Sequence, residues 1–153
     1  MKEIKIQDLV PGLVSGVDVA LPDSSAHRET YFEWKAASLT APFGTNQVTG
    51  GMLKCWHHAP VFREAENHTD AEMFCFLRGT ALMLFIDYIN DQPDVNTAQV
   101  VRIKPGTRLI IDKCKGHFVP VAESDEPLLV VVVAPPMDAP RVALTETISG
   151  VIG

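Results

Sequence analysis

The sequence predicts a single all-β domain closed as a barrel, and three observations carry that reading. Short runs rich in β-branched and aromatic residues recur along the chain. Pro and Gly punctuate them at intervals of about one strand. No window repeats apolar residues at the i, i+3, i+4, i+7 spacing of an amphipathic helix. Many short, evenly spaced strands resolve into a sandwich or a barrel.

The elements follow in order. The opening residues, Met1 to Ile6, alternate charged and apolar side chains, as a half-buried strand does. Pro11-Gly12, Pro42-Phe43-Gly44, Gly50-Gly51, Pro93-Asp94 and Pro105-Gly106 read as turns. Tyr31 to Lys35 alternates, and so does Met52 to His57. Met73 to Ile86 is a long apolar stretch broken by Arg78-Gly79-Thr80, the pattern of a hairpin. Asn90 to Thr97 reads as a polar loop between strands. In Ala98 to Ile103, Val100 and Arg102 fall on one face and Val101 and Ile103 on the other. Arg108 to Ile111 is a further strand. Leu128 to Val133 is continuously apolar, as expected of a strand buried on both faces.

The 153 residues suit one domain, taken here as 1–153 with no linker or repeat. At 46% hydrophobic and 21% charged, the chain can build a core. A net charge of −6 argues against nucleic acid and against anionic membrane surfaces as partners. The N-terminus shows no secretory h-region, and the longest apolar run is far below the ~20 residues a bilayer span needs, so a cytoplasmic protein is expected. Cys55, Cys75 and Cys114 form no CxxC pair and read as reduced thiols.

The chemistry concentrates in Glu66-Asn67-His68-Thr69-Asp70-Ala71-Glu72. On a strand, residues 66, 68, 70 and 72 share one face. So many ionisable groups together are costly to bury without a partner cation or a ligand. A divalent metal offsets the repulsion and uses the imidazole lone pair. His117, just after Gly116 at the start of a strand, projects into a barrel mouth. Asp70 alone reads better as a turn residue. His57 and His58 are adjacent, so only one faces inward. Arg63, Arg102 and Arg108 are candidates for a bidentate grip on a carboxylate.

These residues carry a resemblance. His68-x3-Glu72-x6-Gly79 resembles the first motif of the cupin superfamily, and Pro105-Gly106-Thr107 with Gly116-His117 resembles the second. The match spans about residues 50 to 135. Glu66 stands where the motif has its first His. The resemblance implies a double-stranded β-helix, or jelly roll, with a divalent metal on His68, Glu72, His117 and Glu66. Mn²⁺, Fe²⁺, Ni²⁺ and Zn²⁺ all suit that donor set. No organic cofactor is expected.

A narrower resemblance is to the ureidoglycolate lyase group of cupins. It rests on Glu66-Asn67-His68, Pro93-Asp94-Val95-Asn96-Thr97, Gly106 and His117-Phe118-Val119-Pro120, with Gly116 standing where that group has Trp. It implies a lyase that splits a C–N bond of a small ureido or hydroxy acid into urea and glyoxylate. Glu66, Glu72 and His117 are then the catalytic candidates, and Arg63, Arg108 and His58 the substrate-binding ones. The alternatives are a metal cupin with isomerase or dioxygenase chemistry, or a barrel that binds a small molecule without transforming it. A free N-terminal strand and the Tyr31 to Lys35 segment offer edges for a homodimer.

Overall fold

A computed structural model describes residues 1–22, 26–35 and 39–153. Among them every regular element is a strand. In chain order these are β1 (Lys2–Lys5), β2 (Gln7–Asp8), β3 (Val17–Ala20), β4 (His27–Arg28), β5 (Glu33–Trp34), β6 (Thr49–Cys55), β7 (Val61–Glu66) and β8 (Glu72–Arg78). They continue as β9 (Ala81–Ile89), β10 (Gln92–Ile103), β11 (Arg108–Ile111), β12 (Gly116–His117), β13 (Val121–Ala122), β14 (Leu128–Ala134) and β15 (Arg141–Val151).

An eight-stranded sheet runs β1-β15-β7-β12-β9-β10-β2, with β13 also on β9, and faces a five-stranded sheet ordered β3-β11-β8-β14-β6. Phe74, Phe76, Leu109, Ile111, Leu128 and Val130 of the smaller sheet pack against Met83, Phe85, Val101 and Ile103 of the larger one. This core fills the space between the sheets.

A second core lies on the other face of β9 and β10. Leu82, Leu84, Ile86 and Val100 meet Ile6, Phe62 and Ile148 there, so the larger sheet curls back over itself. The N-terminal segment completes the curl. Lys2–Lys5 pair in parallel with β15, and two residues later Gln7–Asp8 pair in parallel with β10. Ile6 N–H donates to Val151 O, and Leu9 N–H to Arg102 O. The N-terminal strand is therefore not free: it joins the two edges of the sheet. This is an all-β barrel built from two facing sheets.

Several local expectations are corrected. Met73 to Ile86 is not a hairpin, because β8 and β9 lie in different sheets and the turn at Gly79 carries the chain across. Gly79 has φ +77, and a Cβ there meets Leu128 Cδ2 at 3.0 Å and Pro127 O at 3.1 Å. A left-handed, crowded corner takes Gly because only Gly has neither the φ penalty nor the Cβ. The strand buried on both faces is β9, flanked by both cores, whereas β14 leaves Leu129, Val131 and Val133 half-buried on its outer face.

The Asn90 to Thr97 loop shrinks to a tight turn. Asn90 and Asp91, at φ 51 and 61, make a two-residue reversal, the conformation these residue types tolerate best. Pro93-Asp94 lies inside β10, where the register shifts between Asp94 and Gln99. Side chains hold that bulge: Thr97 Oγ1 accepts from Asp87 N–H and donates to Asp94 O, each at 2.8 Å. Gly50-Gly51 also lies within a strand, β6. Tyr31 to Lys35 contributes only the two-residue β5, which pairs with β4 apart from both main sheets.

Candidate functional site

The 66–72 segment is not one strand face. Glu66 ends β7 in the larger sheet, Glu72 begins β8 in the smaller one, and His68 sits on the connection. His117 lies on β12, opposite Glu66 in register, so those two share a face. Glu72 shares the inward face of β8 with Phe74 and Phe76. The cluster thus spans the two sheets at one end of the space between them.

Asp70 takes no part in the cluster. Its carboxylate accepts from Ala71 N–H and from Gly44 N–H, both at 2.8 Å, and shapes the loop. The loop is tied further by Cys114 N–H, which donates to His68 O at 2.8 Å.

Glu72 Oε2 lies 3.0 Å from His117 Nε2 and 3.2 Å from His68 Nε2. All three side chains are buried. Each imidazole turns its other nitrogen to a backbone carbonyl: His68 Nδ1 to Asp138 O and His117 Nδ1 to Lys115 O, both at 3.2 Å. A carbonyl only accepts, so each Nδ1 carries a proton, and each Nε2 faces Glu72 as a donor when the ring is protonated or as a lone pair when it is neutral. Glu72 Oε2 has no hydrogen bond although it is out of contact with solvent. Three lone-pair donors converge on one point, which calls for a cation or a proton between them.

The spacing fits a metal ion. Donors about 2.1 Å from a metal lie about 3.0 Å apart as octahedral neighbours and about 3.4 Å apart in a tetrahedron. Glu66 is within reach, with Oε1 3.9 Å from His117 Nε2. Glu66, His68 and His117 each offer a donor atom within 4.8 Å of the others. The carbonyl partners of both imidazoles are the outer-shell contacts that orient metal-binding histidines.

Without an ion, the charges favour an ionised Glu72 facing positively charged partners. Burial favours the neutral acid of Glu72, but His117 and His68 outweigh it and hold the carboxyl at about 2. Burial disfavours protonated His68, yet Glu72, the Asp138 carbonyl and Glu66 together raise its pKa.

Two cavities open on the cluster. One, about 230 Å³, is lined by Glu66, Glu72, Phe74 and His117 with Leu53, Val119 and others. The second, about 330 Å³, adds His68 and the 134–137 segment. Neither has an Arg or Lys in its lining. Arg63 is exposed on β7. Arg108 pairs in register with Cys75 on β8, one position out of phase with inward-facing Phe74 and Phe76, and so lies on the outer face. Arg102 binds Asp8 at 3.0 Å and Glu123 at 2.7 Å. His57 is a structural contact, its Nδ1 2.9 Å from Ala122 O. His58 lines a third cavity, beside the first, together with Trp56, Phe118 and Arg141. Residues 93–97 line none of the three.

Arg141 is the residue that sequence reading misses. It is opposite Glu66 in register on β15, and its only sequence cue is the Pro140 that precedes the strand. Gly116 is explained by packing. A Cβ there meets Tyr88 Cε2 at 2.5 Å and Ile86 O at 2.7 Å, so no larger residue fits before His117.

The fold and the cluster define an all-β barrel that gathers two imidazoles and two carboxylates at a cavity. No protein-family model matches the chain, and no curated protein does. Among solved structures, a point mutant of Bacillus subtilis oxalate decarboxylase aligns at 17% identity and TM-score 0.46, covering 63% of this chain and 24% of that one. The formate complex of Lactobacillus farciminis oxalate decarboxylase aligns at 15% and 0.46, covering 63% and 26%. A Bacillus subtilis oxalate decarboxylase structure concerned with its Mn(II) centres aligns at 16% and 0.46, covering 90% and 30%. The aligned part spans about a quarter to a third of those chains.

Among the described residues no helix is long and apolar enough to cross a membrane.

Proposed function

We propose that this protein is a divalent-metal-dependent enzyme acting on a small carboxylate substrate. The finer reading, which rests on the sequence resemblance, is cleavage of the C–N bond of a ureido or hydroxy acid. One observation carries the metal reading: two Nε2 atoms converge on Glu72 Oε2, a buried oxygen without a hydrogen bond, while both Nδ1 atoms are held by carbonyls.

His68, Glu72 and His117 would hold the ion, with Glu66 in reach as a fourth donor or as a base. When bound, the ion supplies Lewis acidity that lowers the pKa of a substrate hydroxyl. The chain's own residues divide the remaining work. Both carboxylates border the two cavities, but Glu72 Oε2 is out of contact with solvent between the imidazoles, whereas Glu66 stands farther off. Glu66 is therefore the carboxylate placed to take a proton from substrate. In a ureido acid it takes the hydroxyl proton as the oxygen's electron pair forms C=O and the C–N bond breaks. Glu66 then returns that proton to the leaving nitrogen, giving urea and glyoxylate. Phe74, edge-on to His117 at 6.1 Å, keeps the inner wall apolar.

The test is metal analysis of purified protein followed by a glyoxylate-release assay on ureidoglycolate. Stoichiometric metal that disappears in His117→Ala supports the centre. Metal without glyoxylate release moves the reaction to another class, and bound iron with O₂ uptake selects an oxygenase. Absence of metal under saturating Mn²⁺, Fe²⁺, Ni²⁺ and Zn²⁺ leaves a small-molecule-binding barrel. A homodimer in the cytoplasm is part of the same proposal, and size measurement in solution tests the dimer.

A further inference from the structure

The cluster lacks a cation for a carboxylate substrate, and the neighbouring cavity has one. That cavity, about 320 Å³, shares Leu53, Val119 and Pro120 with the cavity bordered by Glu66, Glu72 and His117. Its lining brings Lys54, His58 and Arg141 together with Trp56 and Phe118, a basic and aromatic grouping in a chain of net charge −6.

Arg141 is set in place from two sides. Its guanidinium lies 5.1 Å from the centroid of the Phe118 ring, and Nη1 donates to Glu64 Oε1 at 3.1 Å. Its other N–H groups have no protein partner among the described residues. A guanidinium fixed by stacking and one ion pair keeps a donor edge for a carboxylate at little further entropic cost. The Lys54 ammonium lies 5.9 Å from the Trp56 ring and adds positive potential. The segment carrying Trp56 and His58 is pinned by the His57–Ala122 contact, so the wall is preformed.

We infer that this cavity is the recognition pocket for a planar or aromatic carboxylate, with its ring between Trp56 and Phe118 and its carboxylate on Arg141. Resting on the metal reading, the inference deepens it: the substrate's reacting end reaches past Leu53, Val119 and Pro120 toward Glu66. The substrate is then longer than a ureido acid, and its carboxylate is read by Arg141, not by Arg63 or Arg108. The first cavity alone, about 230 Å³, is small for a metabolite with an apolar body. The first and third together fall in the usual range of ligand sites, roughly 300–1,000 Å³.

The experiment uses the full chain carrying Trp34→Phe, which leaves Trp56 as the one tryptophan. Metal-free and Mn²⁺-loaded protein are titrated with benzoate and, separately, with benzyl alcohol, which keeps the ring and lacks the charge. Trp56 emission is followed. The expected result is saturable quenching by benzoate in both forms, weaker binding of benzyl alcohol, and a benzoate Kd raised about tenfold by Arg141→Gln. Benzyl alcohol binding is unchanged in that variant, which shows that the pocket still folds. Equal binding of the two probes, no saturable quenching, or an unaltered benzoate Kd in Arg141→Gln overturns the inference. Because the metal-free titration needs no ion, failure of the metal reading shows separately, as absent metal uptake with benzoate binding intact.

Discussion

Glu72 Oε2 lies 3.0 Å from His117 Nε2, within ion-pair distance and buried, yet no hydrogen bond joins them. The carbonyl of Lys115 holds the Nδ1 proton, so Nε2 meets Glu72 as a donor when the ring is protonated and as a lone pair when it is neutral. With neutral rings the buried oxygen faces two lone pairs, a cost that ring protonation or a bound cation removes.

The first prediction follows from that relationship. Mn²⁺ or Zn²⁺ at about 100 times Kd stabilises the wild type by about 2.7 kcal/mol, which raises Tm by several degrees. His68→Ala, Glu72→Ala and His117→Ala each abolish the metal-induced increment, read by differential scanning fluorimetry and elemental analysis. Arg108→Ala, on the outer sheet face, leaves it intact.

The second prediction concerns pH in the metal-free protein. The His68 pKa is raised above 6.5, so its contribution to stability is complete below 6.5 and fades as pH climbs through the folded value. The Glu72 pKa falls from 4.5 to about 2, so its contribution is complete above 4.5 and fades as pH drops toward 2. Both are complete together only between about pH 4.5 and 6.5, where Tm should be highest. At about 1.36 kcal/mol per pKa unit, the Glu72 shift corresponds to about 3 kcal/mol. Glu72→Gln should flatten the acid limb, measured as Tm from pH 3 to 9. In loaded protein the metal increment grows as pH rises past the His68 pKa, because the ion binds the neutral ring.

The candidate site was legible in residue type and order more than in geometry. Glu66, His68, Glu72 and His117 are visible because buried polar groups at motif spacing are rare in an apolar chain. Their arrangement was hidden, since a strand face and a strand–loop–strand corner share one residue string. The same ambiguity made Arg78-Gly79-Thr80 read as a hairpin. An apolar-turn-apolar pattern is identical whether the second strand pairs with the first or crosses to the facing sheet. The closing role of residues 2–8 was invisible because its partners, β15 and β10, lie about a hundred or more residues away in sequence. Arg141 carries no local signal beyond the preceding Pro140, and its position beside Glu66 exists only through β15 pairing.

The third prediction is chemical. Burial pushes the Cys55 thiol up to about 11 and also raises Cys75, while Cys114 is exposed. Iodoacetamide at pH 8 should label one cysteine in the native protein, since the thiolate is the nucleophile and a buried thiol at about 11 is essentially all protonated. Mass spectrometry should find the label on Cys114 and find it absent in Cys114→Ser. Fast labelling of Cys55 in folded protein contradicts the buried assignment.

The fourth prediction probes how His117 is placed. Gly116 sits where a Cβ meets the Tyr88 ring at 2.5 Å and the Ile86 carbonyl at 2.7 Å. The ring can tilt, but the carbonyl belongs to β9, the strand packed against both cores, and cannot give way without moving them. Gly116→Ala should therefore push β12 off β9, cost roughly 1–3 kcal/mol by overpacking, and shift His117 relative to Glu72. Metal affinity should fall about tenfold or more, as it does when a contact orienting a ligand is lost. Tyr88→Phe separates packing from placement. It removes a buried hydroxyl without a hydrogen-bond partner and leaves β12 alone, so stability should hold or rise by about 1 kcal/mol with metal affinity unchanged. If Gly116→Ala binds metal as the wild type does, β12 tolerates the displacement and the crowding at Gly116 does not position His117.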